Sequence, residues 1–185
     1  MGKVNLGASS TQCPVPPMLE IFKPLIDAAT GVSLSDPEAA RLELTSRLDP
    51  DSPEGQRLSQ ALIELLEAGK VADRGAPPVR YSRAAKAAEE TGGFSIDVVD
   101  MTGPGPRHRH PNGEVNWCIA LEGSPTFGEQ DPGWVVESPG SEHVPTVSGG
   151  RMLIVYLLPE GAIEFATCAR TSPGPGLGPG LGPGL

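Results

Sequence analysis

The side chains of this sequence best suited to holding a metal ion are crowded into one short stretch. All three histidines of the 185-residue chain, His108, His110 and His143, fall within a 36-residue window. His108-Arg109-His110 is followed by the turn-like Pro111-Asn112-Gly113 and then by Glu114. Residues two apart on a strand point to the same face, about 6.7 Å apart at roughly 3.3 Å per residue. Two imidazoles at that spacing can converge on one ion. Glu114 can return to the same side after the turn and add an oxygen ligand, and His143 can close the site from a neighbouring strand. Three neutral imidazoles and a carboxylate suit a divalent first-row metal such as iron, manganese, zinc or nickel, with positions left for substrate or water. An isolated His-X-His pair is more often a surface feature than a ligand set.

Such a site needs strands to carry it. Short strands separated by glycine and proline are predicted at Val79–Ser82, Phe94–Met101, Arg107–His110, Glu114–Leu121, Trp134–Glu137, His143–Pro145, Met152–Leu158 and Ala162–Phe165. Their number and even spacing read as an all-β sandwich or barrel. In the strand after Glu114, the even positions Glu114, Asn116, Cys118 and Ala120 are polar or small. The odd positions Val115, Trp117, Ile119 and Leu121 are large and apolar. The even face is expected to line a pocket, with Cys118 a small lining residue in preference to a nucleophile. The odd face is expected to pack on helices or on a second subunit. Met152 to Leu158 is apolar on both faces, as in a central strand covered on both sides.

The stretch before Pro78 differs: it holds only one of the chain's eight aromatic residues, Phe22, and is rich in Ala, Leu and Glu. Three helices are predicted there. The first spans about Pro17 to Ala29 and is interrupted by Pro24. The second starts at Asp36-Pro37 and the third at Ser52-Pro53, each an N-cap residue followed by proline at the first helical position. Gly69 ends the third. The domain organisation expected is a flexible N-terminus over 1–16, a helical region over 17–72, a β-barrel over 78–168 and a disordered Gly/Pro tail over 171–185, where Gly-Pro-Gly-Leu repeats without charge.

Composition excludes several classes. The chain carries 24 glycines and 21 prolines, too many for a coiled coil. Its net charge is −9 with no basic cluster, so no nucleic-acid partner is expected. No apolar run is long enough for a transmembrane helix, and Met1–Thr11 lacks the features of a signal peptide, so no membrane partner is expected. Three scattered cysteines, Cys13, Cys118 and Cys168, argue against a disulfide scaffold and for a cytoplasmic location.

The histidine window resembles the two motifs of the cupin superfamily. The first reads Gly103-Pro-Gly-Pro-Arg-His108-Arg-His110-Pro-Asn-Gly-Glu114, with Gly123 closing it. The second reads Gly133-Trp-Val-Val-Glu-Ser-Pro139-Gly140-Ser-Glu-His143. Gly123 comes two residues late and Pro139 adjoins Gly140 without a spacer, but neither departure touches a ligand position. The resemblance covers Phe94 to Phe165. It implies a mainly β fold, a cupin-type jelly-roll barrel with an N-terminal helical extension, the metal inside, and a homodimer.

Further stretches resemble a narrower group, the 4-hydroxylaminobenzoate lyase family. They are Asp73-Arg-Gly-Ala-Pro-Pro-Val-Arg80-Tyr-Ser-Arg83, Gly93-Phe-Ser-Ile-Asp-Val-Val, Pro132-Gly-Trp-Val-Val, Gly140-Ser-Glu-His143-Val-Pro-Thr-Val and Met152 to Glu164. That resemblance implies conversion of 4-hydroxylaminobenzoate to 3,4-dihydroxybenzoate with release of ammonia. For that chemistry a metal at His108, His110, Glu114 and His143 would act as a Lewis acid, with Glu114 alternatively a proton shuttle. The small aromatic carboxylate substrate needs a cation, and arginine suits it by bidentate geometry. By strand parity Arg107 and Arg109 point away from the histidines, which leaves Arg80 or Arg83. Tyr81, Trp117 and Trp134 could stack on the ring, though each is more often core, and Glu142 could support His143. The same ligand set also suits an iron-dependent dioxygenase, and the barrel alone suits a non-catalytic binding module.

Overall fold

A computed structural model describes residues 18–165; the N-terminal segment with Cys13, and Cys168 with the Gly/Pro tail, lie outside the described residues. Three helices come first: α1 (Met18–Ala29), α2 (Pro37–Arg47) and α3 (Pro53–Glu67). The Asp36 side chain accepts hydrogen bonds from the Glu38 and Ala39 amides, and Ser52 accepts one from the Gly55 amide. Both caps satisfy donors that the first helical turn leaves without partners. At the end of α3 the Gly69 amide donates to the Leu66 carbonyl and the Lys70 amide to the Leu65 carbonyl. Gly69 adopts φ +64°, the left-handed conformation this Schellman ending requires.

Nine strands follow: β1 (Arg74–Ala76), β2 (Val79–Ala85), β3 (Phe94–Met101), β4 (His108–His110), β5 (Glu114–Phe127), β6 (Gly133–Glu137), β7 (Ser141–His143), β8 (Val147–Pro159) and β9 (Glu164–Phe165). The fold is mainly β, as expected. The strands form two antiparallel sheets, one of six strands in the order β1-β2-β3-β8-β5-β6 and one of three in the order β7-β4-β9. This is a jelly-roll type of arrangement in which the sheets do not close into a continuous barrel. Several strand bounds differ from the sequence expectation: β2 and β8 are longer, the latter starting at Val147, and β4 and β9 are shorter. β1 is an added edge strand paired on β2. β5 runs on past Leu121 to Phe127 through irregularities in its pairing with β8. β7 begins at Ser141 because Ser141 pairs with His110.

The large sheet buries both of its faces, and alternation sorts the side chains. Ile96, Val98, Val115, Trp117, Ile119, Trp134, Val136, Leu153, Val155 and Leu157 pack with Phe22, Leu25, Leu44, Leu58 and Leu62 of the helices. The opposite face carries Met101, Cys118, Val135, Met152, Ile154, Tyr156 and Leu158. The apolar odd face of β5 is therefore covered by helices, not by a second subunit. Two indoles tie the layers together: Trp117 Nε1–H donates to Ser59 Oγ at 3.2 Å and Trp134 Nε1–H to the Leu48 carbonyl at 2.8 Å. Their rings meet edge to face with centroids 4.8 Å apart. This places both tryptophans in the helix-side core, away from any substrate.

Leu62 is fully buried in the helix–sheet core. Leu62→Ala is expected to cost about 2–5 kcal/mol through lost burial and the cavity left behind. Urea unfolding followed by tryptophan fluorescence measures this; a loss below about 1 kcal/mol would show that the helices are peripheral to the fold.

Candidate metal centre and cavity

The small sheet brings the histidines together by register. In the antiparallel β4–β7 pair, His108 stands directly opposite His143, so both side chains leave the same face. His110, two residues along β4, shares that face. The carbonyl of His110 accepts from the Gly113 amide at 3.2 Å and from the Gly140 amide at 2.7 Å. The turn that follows β4 and the turn that precedes β7 are thus tied to one atom. Gly113 takes φ +82°, and a Cβ there would lie 2.8 Å from the Glu137 carbonyl oxygen. Only glycine lets β5 start this close to β6.

The three rings converge through their Nε2 atoms. His143 Nε2 lies 3.1 Å from His110 Nε2 and 3.2 Å from His108 Nε2. Ligand atoms of all three histidines fall within 4.8 Å of one another. The other nitrogen of each ring faces an oxygen. His108 Nδ1–H donates to the Pro106 carbonyl at 2.8 Å, which leaves Nε2 as a bare lone pair in the neutral ring. His143 Nδ1 lies 3.5 Å from Glu137 Oε1 and His110 Nδ1 lies 3.3 Å from Glu114 Oε2. Burial lowers all three histidine pKa values, that of His110 to about 3 with help from its two neighbours. The rings are therefore neutral at pH 7, with lone pairs aimed at a common point.

These residues fit a metal ion. Nitrogens held about 2.0–2.1 Å from a first-row ion stand roughly 3 Å from each other, which is the spacing found. An oxygen stands behind each imidazole, where outer partners of metal ligands sit, and that of Pro106 fixes the His108 tautomer. The three histidines could hold a metal ion.

Glu114 does not join this group. It is fully buried, stands on the Nδ1 side of His110, and accepts from Asn116 Nδ2 through Oε1 at 2.7 Å. Its Oε2 and His110 Nδ1 are close but neither has a hydrogen-bond partner. Burial pushes the Glu114 carboxyl up to about 8 while His110 is held neutral, so the contact is not an ion pair. The expected fourth ligand sits behind a histidine instead, because the turn at Gly113 returns β5 beneath β4.

The remaining sequence candidates are placed as follows. Arg80 lies on the outer face of the large sheet, 3.7 Å from Asp100, which Arg151 also grips. It does not reach the site. Arg83 is on the inner face, where Nε and Nη2 fork onto Asp97 at 2.8 and 3.0 Å. Arg107 pairs with Glu142 and Arg109 with Glu164, all exposed. Glu142 thus faces solvent, and Glu137 occupies the place behind His143. Sequence reasoning passed over Glu137, although it shares the inner-face parity of β6 with Gly133 and Val135. Cys118 is buried among apolar side chains with its thiol pKa pushed up, which suits packing and not nucleophilic attack.

Beside His108 a cavity of about 680 Å³ opens between the two sheets. Val79, Val99, Met101, Tyr156, Leu158 and Ile163 give it apolar walls. Phe165 from β9 packs edge on to His108 with centroids 5.6 Å apart. Arg74, Tyr81, Arg83 and Asp97 supply its polar groups along β1, β2 and β3.

The model of the family described as PnbB, 4-hydroxylaminobenzoate lyase, matches residues 25–165, a span that contains all three histidines and every strand described above. The chain belongs to the 4-hydroxylaminobenzoate lyase family. A 4-hydroxylaminobenzoate lyase of Pseudomonas putida is 32% identical over 140 residues, covering 66% of this chain and 80% of that protein. Another, from Nocardioides sp. (strain LMS-CY), is 37% identical over 97 residues, covering 48% of this chain and 57% of its own. Solved structures similar to this family member include an RmlC-like cupin protein from Ralstonia eutropha, at 16% identity and TM-score 0.38 over 50% of this chain and 62% of that one. A cupin-like protein from Thermotoga maritima is similar at 14% identity and TM-score 0.36 over 52% and 85%. Among the described residues of this family member, no helix is long and apolar enough to cross a membrane.

The depressed His110 pKa makes metal-free protein acid-sensitive. Its native value is about 3 against 6.5 for the ordinary side chain, so below pH 6.5 the unfolded chain binds a proton that the native chain refuses. Stability is therefore expected to fall as pH drops from about 6.5 towards 3, by up to about 1.4 kcal/mol per pH unit from this group. Urea midpoints across that range measure it. The slope should flatten in His110→Gln; an unchanged slope would place the acid sensitivity elsewhere.

Proposed function

We propose that the chain is a metal-dependent lyase that converts 4-hydroxylaminobenzoate and one water to 3,4-dihydroxybenzoate and ammonia. The observation that carries this reading is the kinship with proteins named for that activity over a span that includes the whole histidine site. The reaction is redox-neutral. The N–O bond of the hydroxylamine, the ring C–N bond and the neighbouring ring C–H bond break, the ring gains two C–O bonds, and nitrogen leaves as ammonia with the displaced proton.

His108, His110 and His143 would hold the divalent ion, be it iron, manganese, zinc or nickel. Bound there, it supplies Lewis acidity for the departing hydroxylamine oxygen and lowers the pKa of a water. The protein supplies the rest. The Pro106 carbonyl holds His108 by Nδ1, and Glu114 and Glu137 stand beside the far nitrogens of His110 and His143. The apolar walls exclude bulk water from the ring. Tyr156 keeps its phenolic proton, because burial drives its pKa up, and donates it to Met101 Sδ at 3.7 Å on the cavity wall. Phe165 shields the cavity side of His108.

Purified protein incubated with 4-hydroxylaminobenzoate without oxygen is expected to release ammonia and 3,4-dihydroxybenzoate in equal amounts. A strict need for oxygen would favour a dioxygenase, and absence of turnover would leave a binding module. His108→Ala and His143→Ala are expected to lose bound metal, read by elemental analysis, together with activity. Glu137→Gln should weaken metal binding by about 10- to 100-fold while the fold persists. Full activity in metal-free protein would refute the metal role.

A further inference from the structure

The cavity beside the histidines carries an unbalanced charge. Its lining contains two guanidinium groups, Arg74 and Arg83, and one carboxylate, Asp97. Arg83 and Asp97 match each other through a two-pronged fork. Arg74 has no such partner. Its approach to a carboxylate is a 3.9 Å contact of Nε with Asp73, both side chains being more than half exposed. Among the described residues Arg74 donates no side-chain hydrogen bond, so its planar fork of N–H donors is available to a ligand. The rest of the molecule is strongly acidic, with net charge −9. An anion entering this cavity therefore meets one local cation held only by a loose, solvent-exposed contact.

The neighbouring groups give that cation a direction. Arg74 stands opposite Tyr81 in the β1–β2 pair, so both leave the inner face of the sheet. The Tyr81 ring lies over Gly75: a Cβ on Gly75 would come within 3.3 Å of two ring carbons and 2.7 Å of the Val79 carbonyl oxygen. Gly75, at φ +79°, thus lets the ring lie flat against the edge strand. Tyr81 remains 51% exposed and lines the cavity. His108 faces the same cavity from the other sheet. Facing sheets stand about 10 Å apart, a gap that a para-substituted benzene ring with a carboxylate at one end bridges once a long arginine reaches in.

We propose that Arg74 is the residue that binds the substrate carboxylate, with Tyr81 as the surface against which the aromatic ring lies. This deepens the lyase reading and rests on it for the substrate. The para arrangement of 4-hydroxylaminobenzoate then puts the hydroxylamine at the opposite end of the cavity, beside the histidines. Specificity for the acid comes from the fork geometry of Arg74 with two carboxylate oxygens. Arg83 is a positioned wall, held by Asp97.

The test uses full-length metal-loaded protein as wild type, Arg74→Gln, Arg74→Lys and Arg83→Gln. Two readouts are taken: kinetics with 4-hydroxylaminobenzoate and its methyl ester, and calorimetric binding of unreactive 4-nitrobenzoate and its methyl ester. Arg74→Gln is expected to raise KM for the acid, and Kd for 4-nitrobenzoate, by about 10- to 100-fold, the loss expected for one charged pair. Its kcat should stay within a few fold and both methyl esters should be unaffected. Arg74→Lys should recover part of the loss, since it restores the charge without the fork. The proposal is overturned if Arg74→Gln leaves the acid unaffected, if it weakens acid and ester equally, or if Arg83→Gln alone abolishes the preference for the acid. The two ideas fail separately. Wild-type protein that binds 4-nitrobenzoate through Arg74 but turns nothing over refutes the lyase and supports the carboxylate subsite. Wild-type protein that turns over acid and ester equally supports the lyase and refutes the subsite.

Discussion

Three imidazole Nε2 atoms brought to one place are the constraint around which this protein is built. Neutral rings at 3.1–3.2 Å between Nε2 atoms can bond to one another only where one Nε2 carries the proton. The arrangement persists because the rest of the structure determines it. His108 and His143 are cross-strand partners, so neither can leave without breaking the small sheet. His110 is tethered by a carbonyl that takes two amides from two different turns. Protonation would ease the crowding only by charging a buried ring, which burial opposes. What remains is a cation other than a proton, and that is what the geometry suits.

Such a site demands stability from elsewhere, and the large sheet supplies it on its opposite face. Each of β3, β5 and β8 sends alternate residues to the helices and to the cavity. On the helix side Trp117, Leu153, Val155 and Leu157 are essentially without solvent contact. On the cavity side the same strands carry Glu114, Asn116, Asp97 and Tyr156, which pack less uniformly and keep polar atoms. The helices are thus the compensation for a cavity that is only partly filled. Their own ends are closed by Asp36, Ser52 and Gly69, so the cover costs the sheet no polar partners.

Much of this was legible in the residues. Period-two alternation in Glu114–Leu121 separated the two faces, because a strand has no other way to sort its side chains. The cap residues before Pro37 and Pro53 marked helix starts, since their roles are local. The histidine spacing pointed to one cluster. What escaped was everything decided by register between distant strands. Arg80 and Arg83 look equivalent in sequence, but one meets Asp100 outside and the other Asp97 inside. Arg74 drew no notice because β1 is three residues long and becomes a strand only by pairing with β2. Glu142 adjoins His143 in sequence yet points to solvent with Arg107, whereas Glu137 reaches His143 across the Pro139-Gly140 turn. Adjacency along a strand puts side chains on opposite faces, and proximity in sequence misleads there.

The two acids behind the imidazoles bear on what the site accepts. Glu114 and Glu137 are partners in the β5–β6 pair, one behind His110 and the other behind His143. Burial raises both carboxyl pKa values, that of Glu114 to about 8. The two acids stand close, and the Glu137 charge adds to the rise at the buried Glu114. A divalent ion at the three Nε2 atoms would supply two positive charges, the number that two ionised carboxylates balance. Each carboxylate would then accept the Nδ1–H of its histidine and hold the bare Nε2 towards the ion. Charge count and tautomer point the same way: the set is matched to a dication bound by neutral nitrogen. On this reading Glu114 contributes its charge through His110 rather than by direct ligation.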